Sequence, residues 1–133
     1  MAEQSIARRA ELPTPISPAA HAVLDYAVAT TFFGVGVWLM RRHRAAASLA
    51  FANGAMVAGM SMLTDYPGGV VRLLPFRGHR AGDVLQAAFA GLGPALFGFA
   101  GDKEAKFFYA QAASEAGVIA ATDWDAAPSS AAE

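Results

Sequence analysis

Two short patterns hold most of the chemistry that this chain can offer. His21-Ala-Val-Leu-Asp25 and His79-Arg-Ala-Gly-Asp83 each place an imidazole and a carboxylate four residues apart. On a helix that spacing puts both side chains on one face, within reach of each other. Two such helices side by side present two imidazoles and two carboxylates, a donor set able to hold a divalent metal. The same residues also make sense without an ion. An Asp in the first turns of a helix complements the positive N-terminal end, and a neighbouring His pairs with it. Thr64-Asp65-Tyr66 and Thr122-Asp123-Trp124 add two further carboxylates. Both fall at expected helix C-termini, where the dipole disfavours them and a cationic partner is needed. On balance these residues read as a structural polar network of His21, Asp25, Asp65, His79, Asp83 and Asp123, with no metal and no cofactor. Glu115 is the remaining candidate. It lies deep in an apolar stretch, where a carboxylate costs several kcal/mol and is by default a functional residue. Its bland alternative is a neutral group bonded to Ser114, Ser61, Asn53 or Gln86.

The two patterns are 58 residues apart, and so are the two Thr-Asp-aromatic triplets. Between these anchors Phe51 corresponds to Tyr109, Asn53 to Gln111 and Gly59 to Gly117 without a gap. The chain is therefore a direct repeat, each unit opening on HxxxD and closing on Thr-Asp-aromatic.

The elements that position these residues follow from the distribution of apolar residues. Of the 133 residues 55% are hydrophobic and 16% charged, too apolar for a disordered acidic chain. A net charge of -1 leaves no basic footprint for nucleic acid. The absence of cysteine removes thiolate ligands, disulfides and a thiol nucleophile. Four apolar blocks stand out, near 19–40, 45–65, 80–100 and 104–123. A membrane-spanning helix needs about 20 apolar residues. Blocks two and three meet this cleanly, block one does so with His21 and Asp25 near the interface, and block four is weakened by Glu115. Ala45 to Leu63 carries only Ser48, Asn53 and Ser61 as polar side chains, too few for a face in water. Ala50/Gly54, Ala55/Gly59 and Ala87/Gly91 suit close approach of helices. Pro94 predicts a kink around residues 90–94.

The expected architecture is all-α: an integral membrane four-helix bundle of two tandem transmembrane hairpins. Residues 1–18 form a flexible arm, 19–66 the first hairpin, 67–78 an interfacial linker with Arg72 and Arg77 near phosphates, 79–124 the second hairpin, and 125–133 a disordered tail. Two spans per unit make the units parallel repeats about an axis along the membrane normal. All six His and Asp residues then gather at one membrane face.

The second unit, with His79 to Asp83 followed by Gly93-Pro94-Ala95-Leu96-Phe97-Gly98-Phe99, resembles the SPW-repeat family of small bacterial and archaeal membrane proteins. Thr64-Asp65-Tyr66-Pro67, Leu74-Pro75-Phe76 and His79 resemble its inter-repeat linker. The signature Ser-Pro-Trp reads Gly93-Pro94-Ala95 here, and the first unit has Val35-Gly36-Val37-Trp38 in its place. The resemblance implies a repeated helical hairpin in a bacterial inner membrane and no particular activity.

No phosphate-binding loop, dinucleotide fingerprint or nucleophile elbow occurs. The expected function is that of a non-catalytic structural or accessory subunit, in contact with the lipid bilayer and with copies of itself or a larger membrane complex. The alternative is a small transport or proton-transfer protein that uses Glu115 and the His/Asp face.

Overall fold

The computed structural model describes residues 12–128. It is mostly helical: α1 (Pro18–Leu39), α2 (Arg44–Leu63), α3 (Phe76–Leu96) and α4 (Ala105–Ala121), with two short strands, β1 (Thr64–Asp65) and β2 (Leu74–Pro75). Helix α1 starts where Ser17 accepts a hydrogen bond from the Ala20 amide at 3.2 Å and Pro18 presets the first turn. Helix α2 starts on His43, whose Nδ1 accepts from the Ala46 amide at 3.2 Å. Helices α2 and α4 stop alike, on a threonine in extended conformation, Thr64 and Thr122.

The repeat is stricter in the backbone than in the residue types. Helices α1 and α3 begin 58 residues apart, and α2 and α4 end 58 residues apart. The strand pair obeys the same rule. Thr64 pairs in parallel with Leu74 in β1–β2, and Thr122 pairs in parallel with Ile16 in an isolated bridge. Each unit thus closes on the segment that opens the other. This corrects two expectations. Residues 12–18 are not a free arm: the Ile16 amide donates to the Ala121 carbonyl at 3.0 Å, and the Asp123 amide donates back to Ile16 at 2.9 Å. Nor do residues 67–78 form a separate linker, since α3 begins at Phe76. Residues 70–73 fold back on the end of α2, with the Val70 and Val71 amides on the Met62 carbonyl and the Leu73 amide on that of Leu63. Arg72 faces Asp65, and Arg77 faces Asp125. Residues 1–11 and 129–133, most of the expected arm and tail, lie outside the described residues, while Asp125 and Ala126 are tied through their amides to Asp123 Oδ1.

Helix α1 packs against α2, α3 against α4, and α2 against α3. The main core joins Phe32, Leu39, Leu49, Phe99 and Phe108 over the small residues Ala46, Ala47 and Ala50. Gly93 lies under Leu49 so closely that a Cβ there would sit 2.5 Å from both Leu49 methyls. Of the small-residue pairs, Ala50 and Gly54 are buried, Gly54 abuts Phe32 and Phe33 of α1, and Gly91 abuts Ala112 of α4, whereas a Cβ on Gly59 would meet nothing within 4 Å. Pro94 falls in the last turn of α3, which ends at Leu96, so its missing donor bears on the helix terminus.

Among the described residues two helices, α1 and α2, are long and apolar enough to cross a membrane. The third block falls short of this test because α3 starts early and takes in Arg77, His79, Arg80 and Asp83. Helix α4 has 17 residues, ~26 Å of helix against a hydrocarbon layer of ~30 Å.

Candidate functional site

The chemistry-bearing residues converge where α1 and α3 begin and α2 and α4 end. His21 and Asp25 come from the first two turns of α1, His79 and Asp83 from the same positions of α3. The four side chains form a square. His21 Nε2 lies 2.9 Å from Asp83 Oδ2 and 3.3 Å from Asp25 Oδ1. His79 Nε2 lies 2.9 Å from Asp83 Oδ1 and 3.2 Å from Asp25 Oδ2. Both imidazoles are fully buried, Asp25 is buried, and the Asp83 side chain is 15% exposed.

The outer nitrogens of the two rings determine how the inner ones are presented. Thr64 Oγ1 lies 2.6 Å from the Met60 carbonyl and 2.6 Å from His79 Nδ1. A hydroxyl has one proton, and a carbonyl can only accept. The Thr64 proton therefore goes to Met60, and His79 Nδ1–H donates to Thr64. The second half repeats this. Thr122 Oγ1 donates to the Val118 carbonyl at 2.6 Å and accepts from His21 Nδ1–H at 2.9 Å. This network puts a proton on Nδ1 of both rings and turns both Nε2 atoms towards the carboxylates, with His21 Nε2 in a hydrogen bond to Asp83 Oδ2 at 2.9 Å. The pairing is crossed, because the histidine of each unit rests on the threonine of the other.

Tyr66 and Trp124, equivalent in the repeat, behave differently. The Tyr66 hydroxyl donates to Asp25 Oδ2 at 2.7 Å. Burial and the adjacent Asp25 carboxylate hold that phenol well above its ordinary range, so it stays a donor. Trp124 instead donates its indole N–H to the Ile119 carbonyl at 2.9 Å and packs edge-on to His21, with ring centres 4.9 Å apart. Phe76 joins them, and the three rings lid the square.

Asp65 and Asp123, expected in this network, do not belong to it. Asp65 is half exposed and meets Arg72 at 3.7 Å. Asp123 accepts the Asp125 and Ala126 amides, each at 3.1 Å, as a local turn. Their carboxylates point outwards because the preceding threonines turn inwards. The sequence did carry that signal: Thr64 and Thr122 repeat at the same interval, and a threonine at a helix end can donate to the carbonyl four residues back while accepting another bond.

Glu115 does lie in the interior. Gln86 bridges to it, its Nε2 lying 2.9 Å from Asn53 Oδ1 and 3.4 Å from Glu115 Oε1, so one chain of contacts ties α2, α3 and α4. Glu115 Oε2 has no hydrogen-bond partner among the described residues. A cavity of about 80 Å³ connects the two polar groups, lined by His21, Asp25, Asp83, Gln86, Ser114 and Glu115. The rest of its wall is apolar, from Leu24, Val28, Val57, Val118 and Ile119, so water is held there only beside the polar side chains.

The other histidine, His43, stands at the opposite end. Its Nδ1 caps α2, so its Nε2–H is the donor, meeting Asp102 Oδ2 at 2.9 Å. Of the histidines, only His21 and His79 turn Nε2 towards two carboxylates. Comparison of the chain with known protein families, with curated proteins and with solved structures finds no match.

Proposed function

We propose that the chain is a small multi-pass protein of the bacterial inner membrane whose four helices cross the bilayer as two parallel hairpins, acting as a non-catalytic structural or accessory subunit. The observation that carries this reading is an inversion of burial. His21, Asn53, Ser61, His79, Gln86 and Glu115 are buried, while Val23, Val37, Trp38, Leu85, Leu92 and Leu96 are more than half exposed. A helical bundle in water is built the other way round. Side chains of this kind on the outer faces of α1 and α3 suit lipid or a neighbouring apolar helix. The resemblance to the SPW-repeat family belongs to the same proposal. An accessory role accords with the crossed square, which locks the two units together and keeps its charges from the surface. The partners are then the bilayer and a second copy or a larger membrane assembly.

Reporter fusions after residue 43 and after residue 125 test the membrane reading. They should score on opposite sides of the membrane, and equal scores would contradict four spans. A second reading, proton transfer, is favoured by one feature: Glu115, whose Oε2 has no hydrogen-bond partner among the described residues, lines the cavity shared with the square. Glu115→Gln keeps the hydrogen-bonding shape and removes the titratable proton. An accessory subunit should keep its assembly and melting behaviour with this change. A proton-transfer protein should keep its assembly and lose proton flux in reconstituted vesicles.

A further inference from the structure

We propose that His21, Asp25, His79 and Asp83 form a binding site for one divalent transition-metal ion, clamped between α1 and α3. The inference does not depend on whether the helices cross a membrane. Each of the four residues offers a donor atom, and these atoms all lie within 4.8 Å of one another. Donors bound to a tetrahedral zinc at about 2.0–2.2 Å stand ~3.3–3.6 Å apart. The nitrogen–oxygen contacts of 2.9 to 3.3 Å use both oxygens of each carboxylate, so each carboxylate keeps one donor and turns slightly to seat an ion between the rings.

Charge alone allows two ways of filling the square. Two buried carboxylates require two compensating charges, from two imidazolium rings or from one dication between neutral rings. Hydrogen bonding bears on the choice: His21 Nε2 holds a 2.9 Å hydrogen bond to Asp83 Oδ2 that an ion would replace, and His79 Nε2 holds none among the described residues. A protonated His79 Nε2 would be a buried donor in need of an acceptor along its N–H direction. The oxygens at 2.9 and 3.2 Å are close, yet neither is in hydrogen-bonding geometry, and this atom has no partner among the described residues. A bare lone pair aimed between two carboxylates is instead the arrangement a metal takes up.

The surroundings point the same way. A metal-bound imidazole commonly donates its other N–H to a fixed acceptor, which sets the tautomer and the ring plane. Thr64 and Thr122 do this here, each pinned by its own bond to the helix backbone. Tyr66 orients Asp25 in the same manner. Asp83 has no such phenol, because Trp124 stands in the equivalent place, and it borders the cavity from which water can complete the coordination. Mixed imidazole and carboxylate donors select zinc, iron or manganese over calcium and magnesium, which favour oxygen-only sites.

Loading the full chain in detergent with zinc or cobalt(II) after chelator treatment tests this. One equivalent per chain is expected, with cobalt giving visible absorption bands characteristic of nitrogen and oxygen ligation. Near-isosteric Asp83→Asn and His79→Gln should abolish stoichiometric binding. Thr64→Val, which leaves all four ligands in place, should weaken it by about 10–100-fold. His43→Ala should bind as the wild type does. Absence of stoichiometric metal in the loaded wild type overturns the proposal, whatever the variants do. So does metal content unchanged in both Asp83→Asn and His79→Gln, which would place the ion elsewhere.

Discussion

The two ends of the bundle are built from the same kinds of residue and follow different rules. At the His/Asp end, helix starts and stops keep the 58-residue interval, and even the two parallel bridges obey it. At the other end the interval fails. Residues 40–43 join α1 to α2, whereas 97–104 join α3 to α4, twice as many. Gly98 in the longer turn takes a φ of +77°, a conformation for which the first unit has no counterpart. The contrast extends to histidine chemistry. His43 caps a helix and meets one partly exposed Asp102, while His21 and His79 are sealed between two carboxylates and a threonine. Backbone symmetry persists where side chains of both units must meet at one point. It lapses where a loop has only to connect.

The largest expected effect tests this asymmetry directly. His79→Ala removes one of the two rings that stand between the buried carboxylates, and breaking a buried polar pairing in this way costs about 3–5 kcal/mol. Chemical denaturation in detergent should show that loss, and His21→Ala should match it because the units are equivalent. A marked difference between the two would break the symmetry argument.

Removing the outer acceptors comes next. Thr64→Val and Thr122→Val each leave a buried Nδ1–H without a partner, at about 1–3 kcal/mol. The two values should agree. Coupling in double-mutant cycles should link His79 with Thr64 and His21 with Thr122, and not the histidine and threonine of the same unit.

These threonines also mark what could and could not be read from the sequence. The paired HxxxD motifs, the 58-residue repeat and the four helical blocks were legible, because they rest on spacing and on long apolar runs. Asp65 and Asp123 were expected in the network on the strength of their charge at a helix end. What decides the matter is the direction each side chain takes where the helix stops, and the neutral Thr64 and Thr122 point inwards instead. The crossed bridges of Ile16 and Leu74 were not legible at all, since two-residue strands carry no alternating pattern. The interior place of Glu115 was legible from its apolar neighbours. The cavity it shares with the square was not, because that depends on how α1, α3 and α4 pack.

A smaller effect is expected at the opposite end. His43→Ala removes one helix cap and one solvent-screened pair, worth about 1 kcal/mol in the same denaturation assay. A loss as large as that from His79→Ala would erase the difference between the ends. Asp65→Asn should fall lowest, at no more than a few tenths of a kcal/mol, because its ion pair with Arg72 is open to solvent. An effect of several kcal/mol there would return Asp65 to the network from which its position excludes it.

Nitrogen-15 NMR of the histidine rings, on the zinc-loaded full chain in micelles, tests the central claim most directly. The assignment predicts Nδ1–H with an unprotonated, metal-shifted Nε2 for His21 and His79, and the opposite tautomer, Nε2–H, for His43. A proton on Nε2 of His21 or His79, as an imidazolium or as the other tautomer, would contradict it.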